Sequence, residues 1–316
     1  MSPGRGTSRV SIAAVEERVP PMAGLAVAVI AVSTSAILVR WSDAPSVIKA
    51  FYRVLFTTAL LVPWALGRYR GEFGRMELRD VGLAGLTGLA LALHFVSWFE
   101  SLNYTSVAAS VTLVQTQPLF VAVGAWALLD ERLTRRMLVG IFIALFGAVA
   151  MSLGDPLLAS VGIGDAAGLT NTGAFGNALA VVGAVTSAAY VLAGRSLRQR
   201  VSLVPYVVVV YLACAGALLA IAVAQNAPLV DYPRREWLLF LGMAIGPGIF
   251  GHTVINWALA HVESGVVSVS LLGEPVGSTV LALLLLPGEI PTPTTVAGGA
   301  VVLLGIYLTA VARGHD

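Results

Sequence analysis

Ten solid apolar stretches, most of them near the roughly 20 residues a helix needs to cross a bilayer, dominate this chain. No other feature narrows the fold as much. Backbone N–H and C=O groups find no water inside lipid, so a spanning segment must pair them within a helix or around a closed barrel. A barrel would show segments of about ten residues with alternating polarity, whereas these stretches are apolar throughout. With 57% apolar and 11% charged residues and a mean hydropathy of +0.86, the chain has too few charges to coat a soluble protein of its length. The expected fold is an all-α integral membrane protein with ten transmembrane helices. They fall at about 22–40, 46–66, 80–99, 105–129, 136–153, 173–193, 203–224, 236–258, 264–286 and 293–312. The breaks between them coincide with turn signals or charges, such as Ser42-Asp43-Ala44-Pro45 and the run from Arg68 to Arg79.

The chain also repeats itself some 158 residues apart. His94, Gln117-Pro118, Glu131, Thr134, Gly140 and Gly147 in the first half answer to His252, Glu274-Pro275, Glu289, Thr292, Gly298 and Gly305 in the second. Thr34-Ser35-Ala36 is likewise echoed by Thr186-Ser187-Ala188. The expected organisation is a first repeat at 22–153, a flexible extracytoplasmic linker at 154–172 rich in Gly, Ala, Ser and Asp, and a second repeat at 173–312. Each repeat holds five spans, an odd number, so the second copy is expected to cross the membrane in the opposite sense. Inverted halves of this kind meet around a central cavity near the bilayer midplane and expose it alternately to either side.

Positive charge sets the orientation. With the N-terminus inside, the inner segments hold Arg5, Arg9, Arg18, Arg68, Arg70, Arg75, Arg79, Arg132, Arg135, Arg136, Arg195, Arg198, Arg200 and Arg313. The outer loops hold Arg234 and Arg235, offset by Asp231 and Glu236. Residues 1–21 are read as a disordered cytoplasmic tail before a retained first helix, and residues 313–316 as a cytoplasmic C-terminal tail. A multi-pass protein of the cell membrane with both termini in the cytoplasm is expected.

Polar groups in the spans are the candidates for function, because each is costly in lipid. His94 and Trp98 share a helix face, as do His252 and Asn256. The matched histidines are read as cavity-lining, with proton relay or a structural hydrogen bond as alternatives. Gln115, Thr116, Gln117 and Pro118 correspond to Glu274-Pro275; a proline within a span frees a carbonyl about one turn earlier. Glu274 cannot face lipid ionised, so it is read as a substrate or coupling group or as half of an ion pair. Arg53 is expected to turn inward, towards Glu274 or an anionic substrate group, while Lys49 snorkels to the outer end. Tyr190 and Trp257 offer stacking surfaces or interface anchors. Ser33, Thr34, Ser35 and Ser187, with Gly140, Gly147, Gly298, Gly299 and Gly305, are read as helix-packing residues. The candidate binding set is therefore His94, Trp98, Gln115, Gln117, Tyr190, His252, Asn256, Trp257 and Glu274, with Arg53, His252 and Glu274 as candidate coupling or ion-pair groups.

Other classes are disfavoured. Cys214 is the lone cysteine, which excludes an intrachain disulfide and a thiolate metal cluster. A net charge of +2 gives no support to nucleic-acid binding. The chain lacks the G-x-S-x-G, H-E-x-x-H and phosphate-loop motifs. No catalytic residue, cofactor or metal is expected, and the chain is read as a non-enzyme.

Ordered along nearly the whole length, these features resemble the EamA-type members of the drug/metabolite transporter superfamily. The likeness rests on Ala50-Phe51-Tyr52-Arg53, on Gln117-Pro118 and Glu274-Pro275, and on two closing motifs. These are Asp130-Glu131-Arg132-Leu133-Thr134 with Gly140 and Gly147, and Gly288-Glu289-Ile290-Pro291-Thr292 with Gly298 and Gly305. The resemblance implies ten helices in two inverted five-helix halves, a cavity lined mainly by spans one, three, four, six, eight and nine, and outward movement of small metabolites. The expected function is secondary-active or facilitative transport of amino-acid-like or amphipathic solutes by alternating access. A multidrug exporter is the alternative, and an intramembrane enzyme a more distant one. The partners expected are a small-molecule substrate and membrane lipid, with monomer and homodimer both open.

Overall fold

The structure, a computed structural model, describes residues 20–129, 133–160, 171–197, 200–255 and 270–313. Every element of secondary structure among them is helical. Helix α1 (Pro21–Trp41) opens on a proline at its first position, where a missing N–H costs nothing. Helices α2 (Ser46–Phe73) and α3 (Leu78–Ser101) follow. Span four is broken into α4 (Val107–Val114) and α5 (Gln117–Leu129), with Gln115 and Thr116 in the turn between them. Pro118 therefore sits in the first turn of a new helix, a position that tolerates it. The first half closes with α6 (Arg135–Ser160). The second contains α7 (Asn171–Leu197), α8 (Leu203–Ala224), α9 (Arg234–Met243) running into a π-helical segment (Ala244–Thr253), α10 (Gly273–Leu285) and α11 (Pro293–Arg313). Of the linker expected at 154–172, residues through Ser160 continue α6, and Asn171 opens α7. Residues 161–170, the first 19 residues and Glu131 lie outside the described residues.

Seven segments among the described residues are long and apolar enough to cross a membrane, namely α1, α2, α3, α7, α8, α11 and the α4–α5 pair taken together, and α10 is a shorter apolar helix. Their packing maps onto itself when the halves are exchanged. Helix α1 packs on the π segment as α7 packs on α3, and α1 packs on α10 as α7 packs on α4 and α5. Helix α2 meets the π segment as α8 meets α3, while α2 meets α8 and α6 meets α11, each its own counterpart.

The α6–α11 seam is the tightest of these contacts, and glycine makes it so. A Cβ on Gly147 would stand 2.7 Å from the carbonyl oxygen of Gly298, and one on Gly140 would stand 2.6 Å from that of Gly305. Backbone meets backbone with no room for a side chain, the small-residue packing that replaces hydrophobic drive inside lipid. The order of these contacts also makes α6 and α11 antiparallel. Both helices start on the same device: Thr134 Oγ1 accepts from Met137 N–H and Thr292 Oγ1 from Thr295 N–H, each at 3.2 Å.

One end of the bundle is tied by polar contacts between loops. Glu289 pairs with Arg40 at the end of α1, and its Oε1 accepts from the N–H of Val107 at 2.6 Å, at the start of α4. Glu236, buried at the start of α9, accepts from Ser42 Oγ and, at 3.1 Å, from Asp43 N–H. Lys49 departs from expectation. It is 4% exposed instead of snorkelling, and its Nζ donates to the Val39 carbonyl at 3.1 Å, near the last turn of α1. At the other end Arg200 approaches Asp80, at the start of α3, to 3.4 Å.

Candidate functional site

The interrupted helices of both halves converge on a cavity of about 260 Å³. The turn between α4 and α5 delivers Val114, Gln115 and Gln117; the π segment delivers Pro247 and His252; the first turn of α10 delivers Glu274. Continuous helices supply the remaining wall: Ser35 from α1, Arg53 from α2, His94, Phe95 and Trp98 from α3, Tyr190 from α7 and Tyr211 from α8. Among the described residues α6 and α11 contribute nothing to it. Of the residues singled out in the sequence, His94, Trp98, Gln115, Gln117, Tyr190, His252, Glu274 and Arg53 are brought together here. Asn256 and Trp257 lie outside the described residues.

Glu274 is held by Gln115, whose Nε2 donates to Oε2 across the junction of the halves. Its place in the first turn of α10 puts the carboxylate at the positive end of a helix dipole. Ser278 Oγ donates to the Ser33 carbonyl at 3.0 Å, which fixes this helix against α1. A Cβ on Gly277 of α10 would stand 3.0 Å from the Ser33 Cβ, so the two helices approach closely here.

Arg53 is 2% exposed and turns inward onto the cavity without pairing with Glu274. Among the described residues no carboxylate comes within ion-pair distance of it, Glu274 included. Instead Nη1 donates to Ser35 Oγ at 2.9 Å, and the guanidinium lies over the rings of Phe95 (4.7 Å) and Phe99 (5.7 Å). The aromatic faces attract the cation electrostatically without neutralising it. Arg53 and Glu274 therefore share one cavity without forming an ion pair.

His94 Nδ1 lies 2.9 Å from the Gly183 carbonyl. A carbonyl only accepts, so Nδ1 carries the hydrogen, and in the neutral ring Nε2 is the acceptor. The ring stacks on Trp98 with centroids 5.8 Å apart. Trp98 is 4% exposed, and its indole N–H has no hydrogen-bond partner among the described residues. His252, on the π segment, likewise makes no hydrogen bond to the described residues. No group of three His, Cys, Asp or Glu among them could hold a metal ion.

Phe95, Phe99 and Tyr211 were not singled out in the sequence. The one available signal was the four-residue spacing of Phe95 and Phe99, which puts both rings on one helix face. An aromatic in an apolar span otherwise reads as packing or lipid contact.

The family profile described as the EamA-like transporter family matches residues 21–153 and 174–311. An uncharacterised transporter of Archaeoglobus fulgidus is 26% identical over 273 residues, 84% of this chain and 88% of its own. The pseudopaline exporter of Pseudomonas aeruginosa is 24% identical over 275 residues, 86% of this chain and 90% of its own. A probable terminal-alkyne amino-acid exporter of Streptantibioticus cattleyicolor is 35% identical over a shorter stretch of 100 residues, 31% of this chain and 33% of its own. A solved structure matches the fold with a TM-score of 0.60 at 21% identity, covering 92% of this chain and 97% of its own.

Proposed function

The chain belongs to the EamA-like transporter family, and from that premise we propose that it exports small, amino-acid-like or amphipathic metabolites by alternating access. In this reading ten spans form two inverted five-helix halves, both termini are cytoplasmic, and the cavity opens in turn to each side. The observation that carries it is the cavity itself, walled by the interrupted spans of both halves. The antiparallel run of α6 and α11, each other's counterpart in the repeat, supports inversion, as does packing that survives exchange of the halves. Relatives named as exporters support outward movement of a small solute.

Size favours this reading over the multidrug alternative. A cavity of about 260 Å³ lies below the roughly 300–1,000 Å³ typical of sites for drug-sized ligands. The test is counterflow in proteoliposomes loaded with radiolabelled amino acids. Saturable exchange is expected, and Glu274→Ala should reduce it at least about tenfold, by loss of a buried polar contact. Equal flux in empty and protein-bearing vesicles for every amino acid tried, with robust efflux of bulky dyes, would transfer the assignment to multidrug export. An imposed pH gradient that changes the rate would identify proton coupling.

A further inference from the structure

We propose that the cavity selects a zwitterion, with Arg53 receiving the carboxylate of the solute and Glu274 its ammonium group. The proposal rests on the transport reading above and assigns the ends of the substrate to particular side chains.

Hydrogen-bond accounting leads to it. A guanidinium carries five N–H donors, and Ser35 takes one of those on Arg53. The rings of Phe95 and Phe99 hold the group in place but leave its charge standing. A carboxylate has about four acceptor positions, and Gln115 fills one on Glu274. Among the described residues, therefore, each group has a single neutral hydrogen-bond partner and neither is matched by an opposite charge at ion-pair distance. Buried charges at membrane depth require a counter-charge.

A simple anion would answer Arg53 and leave Glu274 unmatched, and a simple cation would do the reverse. A solute with both charges at separated ends answers both. Trp98 lines the same cavity. Its ring adjoins Phe99 at 5.3 Å between centroids, and Phe99 is one of the two rings beneath Arg53. Tyr190, Tyr211 and Phe95 offer an aromatic wall to the body of the solute.

Thermal stabilisation of the purified full chain tests the assignment through binding alone, since a ligand of the folded state raises its melting point by mass action. Three probes share one ring: L-phenylalanine, 3-phenylpropanoate without the ammonium, and phenethylamine without the carboxylate. L-phenylalanine is expected to bind at least about thirtyfold more tightly than either analogue, the effect of leaving one buried charge unanswered. Arg53→Gln should turn the preference towards phenethylamine, and Glu274→Gln should turn it towards 3-phenylpropanoate. Equal stabilisation by all three probes, stabilisation by none, or an unchanged order in the variants overturns the proposal. Should Arg53→Gln yield no folded protein, the Glu274→Gln arm decides alone. Selective binding without any flux in vesicles would instead overturn the transport reading and leave the two poles standing.

Discussion

Gln115 and Glu274 meet across the two halves, yet only one of them has a counterpart. Leu113 corresponds to Leu271 and Gln117 to Glu274, so the second half is one residue shorter in between and has no equivalent of Gln115. The donor that steadies the carboxylate exists on one side alone. Gln115→Leu keeps the bulk and removes the N–H, and should cost about 1–3 kcal/mol as a buried acceptor loses its partner. A lower apparent melting temperature of the purified protein is the expected readout, whereas Gln117→Leu, whose side chain makes no hydrogen bond to the described residues, should leave it nearly unchanged. Much of the cavity was legible at this scale, because a polar residue in an apolar span advertises itself by its cost. Tyr211 and Phe95 were not, since their role comes from standing beside Arg53, a proximity that hydropathy does not encode. The separation of Arg53 from Glu274 was equally hidden, being set by the aromatic rings that hold the guanidinium.

Elements begin and end where local chemistry asks them to. Thr134 and Thr292 occupy the same place in the repeat and make the same cap at the same length. Thr134→Ala and Thr292→Ala should each cost about 1 kcal/mol. The antiparallel pairing of α6 and α11 puts their N-termini at opposite ends of the seam, so the double variant should lose about the sum. Denaturant titration in mild detergent would measure all three; a double variant no worse than either single would contradict independent caps. The break in span four was legible from Gln117-Pro118, since proline ends one helix and suits the first turn of another. The π segment was not. Pro247 with Gly246, Gly248 and Gly251 reads as a helix breaker, but packing against α1 and α2 keeps the stretch helical and the strain is absorbed in a wider turn.

At the scale of the whole molecule the repeat was the most legible feature, because matching residues in the two halves pair the helices one to one. Less legible was the unequal treatment of the two ends. Glu289 and Glu236 gather α1, α4 and α9 with their loops at one end, through a buried carboxylate and an ion pair. If that end must part for the cavity to open there, removing its charge should favour opening. The double variant Glu236→Gln, Glu289→Gln in a Cys214→Ala, Val114→Cys background should be labelled several-fold faster by a membrane-impermeant thiol reagent from that side. Reversal of two interactions worth about 1 kcal/mol each is enough for such a change. An unchanged labelling rate would mean that these contacts hold loops and do not govern access.

The glycine seam between α6 and α11 carries a consequence for how such a chain can diversify. Among the described residues it sends nothing into the cavity, so substitutions that retune the cargo and substitutions that endanger the scaffold occupy separate territory. If Arg53 and Glu274 hold the solute as proposed, drift around them would redirect the transporter to a new solute while Gly140, Gly147, Gly298 and Gly305 stay put. A comparison of two such chains at the seam would therefore report common descent, and a comparison at the cavity wall would report diet.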